Sequence, residues 1–192
     1  RSSSDIGIII FYINPSGFVS TQIQFLYPMC GIAGLVLRDG ETIKSDLLSQ
    51  MARVMAHRRP DSEGIHVANN FGLAFRRLKI IDLSDTANQP MFNEDGKVAI
   101  VFNGEIYNFM DLRSELERAG HDFKTRSDTE VIVHAFEEWG TDSFARFNGM
   151  FGIGIIDSRG DSLGRSPVIY LVRDRFGIKP LFYSMIGGRL AF

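Results

Sequence analysis

Cys30 is the only cysteine of the 192-residue chain, set between Met29 and Gly31-Ile32-Ala33-Gly34. Its chemistry depends on what precedes it. With Met29 as initiator, the small Cys side chain permits removal of the methionine, and Cys30 becomes the first residue. A free α-amino group has a pKa of about 7.7–8.0, against about 8.5 for a thiol. Such an amine can serve as general base toward its own sulfur, with no His or Asp partner. Inside a longer chain the same nitrogen is an amide and not a base. Cys30 is then a small buried thiol at the start of a strand.

Other residue groups also admit two readings each. Asn103-Gly104-Glu105-Ile106-Tyr107-Asn108 follows the apolar run Val98–Phe102. An Asn-Gly pair there is a turn, or it is an oxyanion hole. In the second case the Asn103 carboxamide and the Gly104 N–H aim at one oxygen. His57-Arg58-Arg59-Pro60-Asp61 and Arg76-Arg77 are solvated charge, or a fork for a small carboxylate. Asp128 in Ser127-Asp128-Thr129-Glu130 is a helix N-cap, or a partner for a ligand ammonium group. Gly149–Gly154 lacks the Gly-x-Gly-x-x-Gly order, and neither a Walker-type Gly-Lys-Ser/Thr nor a Gly-x-Ser-x-Gly elbow is present. His57, His66, His121 and His134 have no metal-ligand spacing with Cys30, so no metal is expected.

These residues need elements to hold them. Gly31–Leu37 reads as a strand, and Ser45 is positioned to cap a helix over Asp46–Ala56. Strand-like runs follow at Gly64–Ala68, Gly72–Leu83 and Val98–Phe102. Phe109–Ala119 reads as a helix ended by Gly120. A second helix, capped by Asp128, buries Val131, Ile132, Ala135, Phe136 and Trp139 and ends at Gly140. Strands return at Met150–Asp157, Val168–Arg173, Leu181–Met185 and Arg189–Phe192, with a loop over Ser158–Pro167. Two groups of strands with helices mainly between them indicate an α+β domain: two largely antiparallel sheets with helices on the outer faces.

Composition sets the boundaries. Sixteen Phe and five Tyr supply surface to bury, against disorder. A net charge of −2 gives no general attraction to nucleic acid or to anionic membrane. No apolar run reaches the roughly 18 residues of a spanning helix. One thiol fits a reducing compartment, so a cytoplasmic location is expected. Residues 1–29 differ from the rest: a polar Ser2–Ser4, an apolar Ile6–Ile13, then Asn14-Pro15-Ser16-Gly17. Signal-like length is offset by a thin positive start, and no small-x-small cleavage site is followed by a mature secreted sequence. The expectation is an extension translated ahead of the true start, or one that is removed. Residues 30–192 are the domain, and the strand pattern running to Phe192 is expected to mark truncation.

In order, the motifs resemble one family. They are Met29-Cys30-Gly31-Ile32-Ala33-Gly34, His57-x-x-Pro60-Asp61, Arg77-Leu78 with Ile80-Ile81-Asp82-Leu83, and Gln89-Pro90-Met91. Asn103–Asn108, Ser127-Asp128-Thr129-Glu130-Val131 and Arg173-Asp174-Arg175-Phe176-Gly177-Ile178-Lys179-Pro180-Leu181 complete the set. Together they resemble the glutaminase domain of glutamine-hydrolysing asparagine synthetases, class II amidotransferases with an N-terminal nucleophile.

The resemblance implies a four-layer αββα sandwich and a Cys30 thioester formed from glutamine, releasing ammonia and then glutamate. It implies Asn103 and Gly104 at the oxyanion and Arg77 on the glutamine α-carboxylate. Asp128 is implied on the α-ammonium, with Glu105 in the same pocket. It implies no cofactor for this domain. ATP and Mg²⁺ belong to a synthetase domain, absent here, that receives the ammonia, and the family admits a homodimer of the full-length enzyme. The alternatives are the glutaminase domain of an amidotransferase making phosphoribosylamine, glucosamine 6-phosphate, secondary metabolites or polysaccharide, or a non-catalytic module if Cys30 stays internal. Three positions depart from the family pattern: Arg59 in place of Gly, Phe75 in place of His, and a slightly longer Ser158–Pro167.

Overall fold

A computed structural model describes the backbone of residues 7–12, and residues 30–58, 62–77, 88–160 and 167–192. The strands are β1 (Gly7–Tyr12), β2 (Gly31–Val36), β3 (Ser62–Ala68), β4 (Phe71–Arg77), β5 (Met91–Phe92), β6 (Val98–Ile106), β7 (Gly149–Asp157), β8 (Val168–Arg173), β9 (Ser184–Ile186) and β10 (Arg189–Ala191). The helices are α1 (Ser45–Val54), α2 (Phe109–Ala119), α3 (Asp128–Trp139) and the single turn α4 (Ser143–Arg146).

Period-two alternation along the strands builds the layers. In β6, Val98, Ile100, Phe102 and Ile106 enter one core with Leu112, Leu116, Val131, Ile132 and Phe136 of α2 and α3. Ala99 and Val101, on the opposite face of β6, enter a second core with Leu73 and Phe75 of β4 and with Leu171 of β8. In β2 and β4, Ala33, Leu35 and Ala74 turn the other way, onto Leu48 and Ala52 of α1. The result is helix, sheet, sheet, helix: the αββα order expected from the resemblance.

One sheet has the order β1-β8-β7-β6-β5 and the other β3-β4-β2-β10-β9. All pairings are antiparallel except β1 with β8, which is parallel with Gly7 opposite Val168. Thus the backbone of Gly7–Tyr12, in the segment set apart in the sequence, extends the first sheet. Phe192 joins the two sheets. A Cβ at Gly34 or Gly154 would lie 2.1 Å or 2.7 Å from its ring, so glycine at both positions makes room for it.

Several expected boundaries move. Lys44 occupies the N-cap of α1 without a side-chain cap bond, and Ser45 is the first helical residue. The helix ends at Val54, followed by a tight turn over Met55–Arg58 rather than continuing to Ala56. β4 begins at Phe71, and its described part ends at Arg77. The last hairpin starts at Ser184, not Leu181, because Asp174 shapes the loop before it: its carboxylate accepts from the amides of Phe176, Ile178 and Lys179. Gly120 ends α2 at φ 103°, and Gly140 follows α3, as expected. Phe75, one of the departures, is fully buried between the sheets, so packing accommodates it. Arg59 lies outside the described residues, as do residues 161–166 of the Ser158–Pro167 loop.

Candidate active site

β6 brings three of the candidate residues into one stretch, with Asn103 opposite Gly152, Gly104 opposite Phe151 and Glu105 opposite Met150 of β7. Asn103 shares strand parity with Ala99 and Val101, which face the other sheet, and it is buried. Cys30 comes from that other sheet. It immediately precedes β2, is half-buried, and packs on the core between the sheets. Ile32, two residues on, comes within 3.9 Å of where a Gly152 side chain would begin. Strand alternation therefore directs Asn103 and Cys30 to the same inter-sheet space.

Gly104 has a steric reason to be glycine: a Cβ there would stand 2.1 Å from the Met150 carbonyl oxygen and 2.7 Å from Phe151 Cα. Its amide direction follows from the ladder. In an antiparallel pair every second N–H points away from the neighbouring strand. The amides of Phe102 and Ile106 do so, donating to Gln89 Oε1 at 2.6 Å and Asp128 Oδ2 at 3.1 Å. The Gly104 N–H lies between them on the same edge. Side-chain acceptors occupy the amides on either side, and the Gly104 amide lies between them on the edge of β6 that faces away from β7.

Asp128 is not the N-cap of α3. Ser127 takes that position, its hydroxyl accepting from the Thr129 amide at 3.0 Å. The correction matters chemically, because the Asp128 carboxylate is released from capping and turned onto β6. Burial pushes its pKa up to about 6, and the charge of Glu105 adds to the rise, while the amides of Ile106 and Thr129 oppose it. Asp128 and Glu105 thus form an acidic pair suited to a cation. Arg77 stands in β4 opposite Ser62, and its side chain lies outside the described residues.

Two residues with no role assigned from sequence hold this frame. Asp174 accepts from the Phe151 amide at 3.1 Å and so ties β7, beneath Gly104, to the loop after β8. Gln89 is buried and bonded to both β6 and α3. Gln89-Pro90 and Arg173-Asp174 were visible as motifs, but nothing in residue type or spacing says what they reach.

A second group lies on the other end of α3. Among the described residues, ligand-type atoms of His121, His134 and Glu137 lie within 4.8 Å of one another. His134 Nδ1 is 3.1 Å from Glu137, and its Nε2 is 3.8 Å from Glu130. These pairings make the group an imidazole–carboxylate network. No helix among the described residues is long and apolar enough to cross a membrane.

Comparison with known proteins converges on one family. A family model for the glutamine amidotransferase domain matches residues 29–192. Asparagine synthetase [glutamine-hydrolyzing] 2 of Bacillus subtilis (strain 168) is 42% identical over 167 residues, covering 85% of this chain and 21% of that protein. Asparagine synthetase [glutamine-hydrolyzing] 2 of Arabidopsis thaliana is 40% identical over 155 residues, covering 80% of this chain and 25% of that protein. The chain thus spans about a quarter or less of these relatives. Among solved structures, glutamine phosphoribosylpyrophosphate amidotransferase from B. subtilis, complexed with ADP and GMP, superposes with a TM-score of 0.66 at 18% identity. That match covers 83% of this chain and 40% of the other, a likeness of fold.

Proposed function

The chain belongs to the glutamine amidotransferase domain family, and on that premise we propose that it is the glutaminase part of a glutamine-hydrolysing asparagine synthetase. Cys30, with its amine free, attacks the side-chain amide of glutamine. The tetrahedral oxyanion is held by the Gly104 N–H and the Asn103 carboxamide, ammonia leaves, and water releases glutamate from the thioester. Asp128, with Glu105 beside it, receives the α-ammonium, and Arg77 receives the α-carboxylate. Discrimination for glutamine follows from the α-substituents, because a buried partner left unpaired is costly. The observation that carries the proposal is the Gly104 amide bracketed on β6 by Gln89 and Asp128.

The ammonia acceptor is a domain that activates aspartate with ATP and Mg²⁺, the part of the relatives this chain does not span. Phe176, Phe182 and Ile186 are 85%, 78% and 76% exposed, with Met185 and Tyr183 exposed beside them in sequence. Apolar side chains so exposed on one segment fit a covered face, which we assign to that acceptor. A cytoplasmic location accords with the lone thiol.

The test is glutamate and ammonia release from glutamine, measured for the 192-residue chain and for a chain starting at Cys30. Hydrolysis by the Cys30-initiated form, and its loss in Cys30→Ala, is the expected result. Glutamine turnover that survives Cys30→Ala removes the thioester mechanism.

A further inference from the structure

We infer that Gln89 is a positioning residue of the oxyanion hole: it holds the β6 edge so that the Gly104 amide points at the reacting oxygen. The inference rests on the glutaminase reading above and adds a residue to it.

Gln89 is 7% exposed, and both ends of its carboxamide are in use. Oε1 accepts from the Phe102 amide at 2.6 Å, and Nε2 donates to Thr129 Oγ1 at 3.1 Å. The carboxamide thereby spans β6 and the first turn of α3, the two elements that carry Gly104 and Asp128. Its backbone is fixed to the opposite sheet. A Cβ on Gly64 of β3 would stand 1.7 Å from the Gln89 carbonyl oxygen, so that carbonyl lies directly on β3. Next to it, the Ser62 hydroxyl donates to Asn88 Oδ1 at 3.0 Å.

One buried residue therefore ties both sheets and a helix together around the candidate site. The reason β6 needs it lies in the short neighbouring strand. β5 pairs with β6 only at Ile100 and Ala99, so beyond Val101 no strand partner covers this edge among the described residues. Gln89 closes the first open amide and Asp128 the last, and the Gly104 amide stays at the edge between them. The Phe102 amide, deprived of Gln89, would be a buried donor without an acceptor. Relaxing β6 to satisfy it turns the Gly104 amide, two residues away, off its target. Oxyanion donors act only when held in place before the reaction.

The experiment compares Gln89→Met, close in shape with no hydrogen bonds, and Thr129→Val, which removes only the acceptor for Gln89 Nε2. Both are studied in whichever of the 192-residue and Cys30-initiated forms hydrolyses glutamine without substitution. Five readouts are taken: kcat and KM for glutamine, inhibition by glutamate γ-semialdehyde, inhibition by glutamate, thermal stability, and amide hydrogen exchange at Phe102 and Gly104. The aldehyde adds the Cys30 thiol to form a hemithioacetal, with the thiol proton passing to the oxygen or the amine, and so probes the oxyanion hole without turnover. Gln89→Met is expected to lower kcat and aldehyde affinity by about 10- to 100-fold, inside the range for an oxyanion donor. KM and glutamate inhibition stay within about twofold, exchange at Phe102 speeds up, and Thr129→Val gives a smaller change of the same kind. Equal losses in kcat/KM, glutamate affinity and thermal stability, with aldehyde affinity falling no more than glutamate affinity, would make Gln89 merely structural and overturn the inference. Unchanged kcat in Gln89→Met overturns it as well. Absence of glutamine hydrolysis in both unsubstituted forms overturns the glutaminase reading itself, and that result needs no Gln89 variant to be recognised.

Discussion

Asp128 shows how local packing can free the carboxylate of a common helix-start residue to face a neighbouring strand. Ser127 supplies the cap, so the adjacent carboxylate is free to accept from Ile106 on β6. Burial raises its pKa from 3.8 to about 6. A raised carboxyl is protonated in the folded state first as pH falls, and a neutral Asp128 no longer attracts an ammonium group. We expect kcat/KM for glutamine to fall as pH drops below about 6, since that ratio reports groups of the free enzyme. Asp128→Asn should lose this acidic limb and bind glutamine more weakly, while its amide oxygen still accepts from Ile106. Because the ionised form bears the burial penalty above about pH 6, the substitution should not lower stability at pH 7. A thermal melt alongside the pH–rate profile checks both, and an unchanged profile in the variant removes the ammonium role. At Gly104, alanine would put a methyl group 2.1 Å from the Met150 carbonyl. We expect glutamine turnover to drop by about 10²- to 10³-fold as β6 is forced off β7 and the amide loses its aim.

Among the elements, α3 owes its placement to the segment before it as much as to its apolar face. Glu130 accepts from the Lys124 amide at 2.8 Å, the Thr125 amide at 2.7 Å and the Thr125 hydroxyl at 2.6 Å. This ties the α2–α3 connection to the first turn of α3 and so fixes the Ser127 cap and Asp128. Burial works against ionisation of Glu130, but the His134 imidazole, the Thr125 hydroxyl and these amides outweigh it and hold its pKa down at about 2. A depressed carboxyl contributes stability that is present above its unfolded value of 4.5 and is lost as pH falls through about 2. Glu130→Gln should therefore destabilise the fold at pH 7 by about 1–3 kcal/mol. The gap from the unsubstituted protein should narrow as pH is lowered from 4.5 toward 2. Urea unfolding across that range measures it, and a gap independent of pH would show that the charge of Glu130 contributes nothing. Trp139, at the other end of α3, is only partly buried and carries the Arg146 guanidinium 3.6 Å above its ring.

For the whole molecule, the sandwich leaves an apolar margin at Phe176, Phe182 and Ile186. Replacing Phe176 and Phe182 by Ser should reduce the binding of a hydrophobic dye to this chain. Glutamine hydrolysis should stay within about twofold, because neither residue is part of the site. Dye fluorescence tests the expectation, and unchanged dye binding would show that these two rings do not form the exposed apolar face.

Much of the architecture was legible in the sequence, because period-two and period-3.6 patterns report burial directly. Both sheets except β1 and β5, the helices α2 and α3 and the glycines that end them could be read this way, whereas β1 fell in the segment expected to lie outside the domain. Cys30, Asn103, Gly104 and Asp128 stood out because their residue types are few and chemically distinct. Short or irregular pieces carried no such signal. The two-residue β5 and the loop shaped by Asp174 depend on hydrogen bonds between distant residues, as do the Ser127 cap and the turn of Asp128 toward Ile106. Sequence by itself determined which side chains are available and the alternation that sorts them into three cores. Tertiary structure alone decided the orientation of the Gly104 amide. That orientation is set by Gln89, Asp128 and the pairing of Gly104 with Phe151 in β7, contacts whose partners lie 13, 22 and 47 residues apart in the chain.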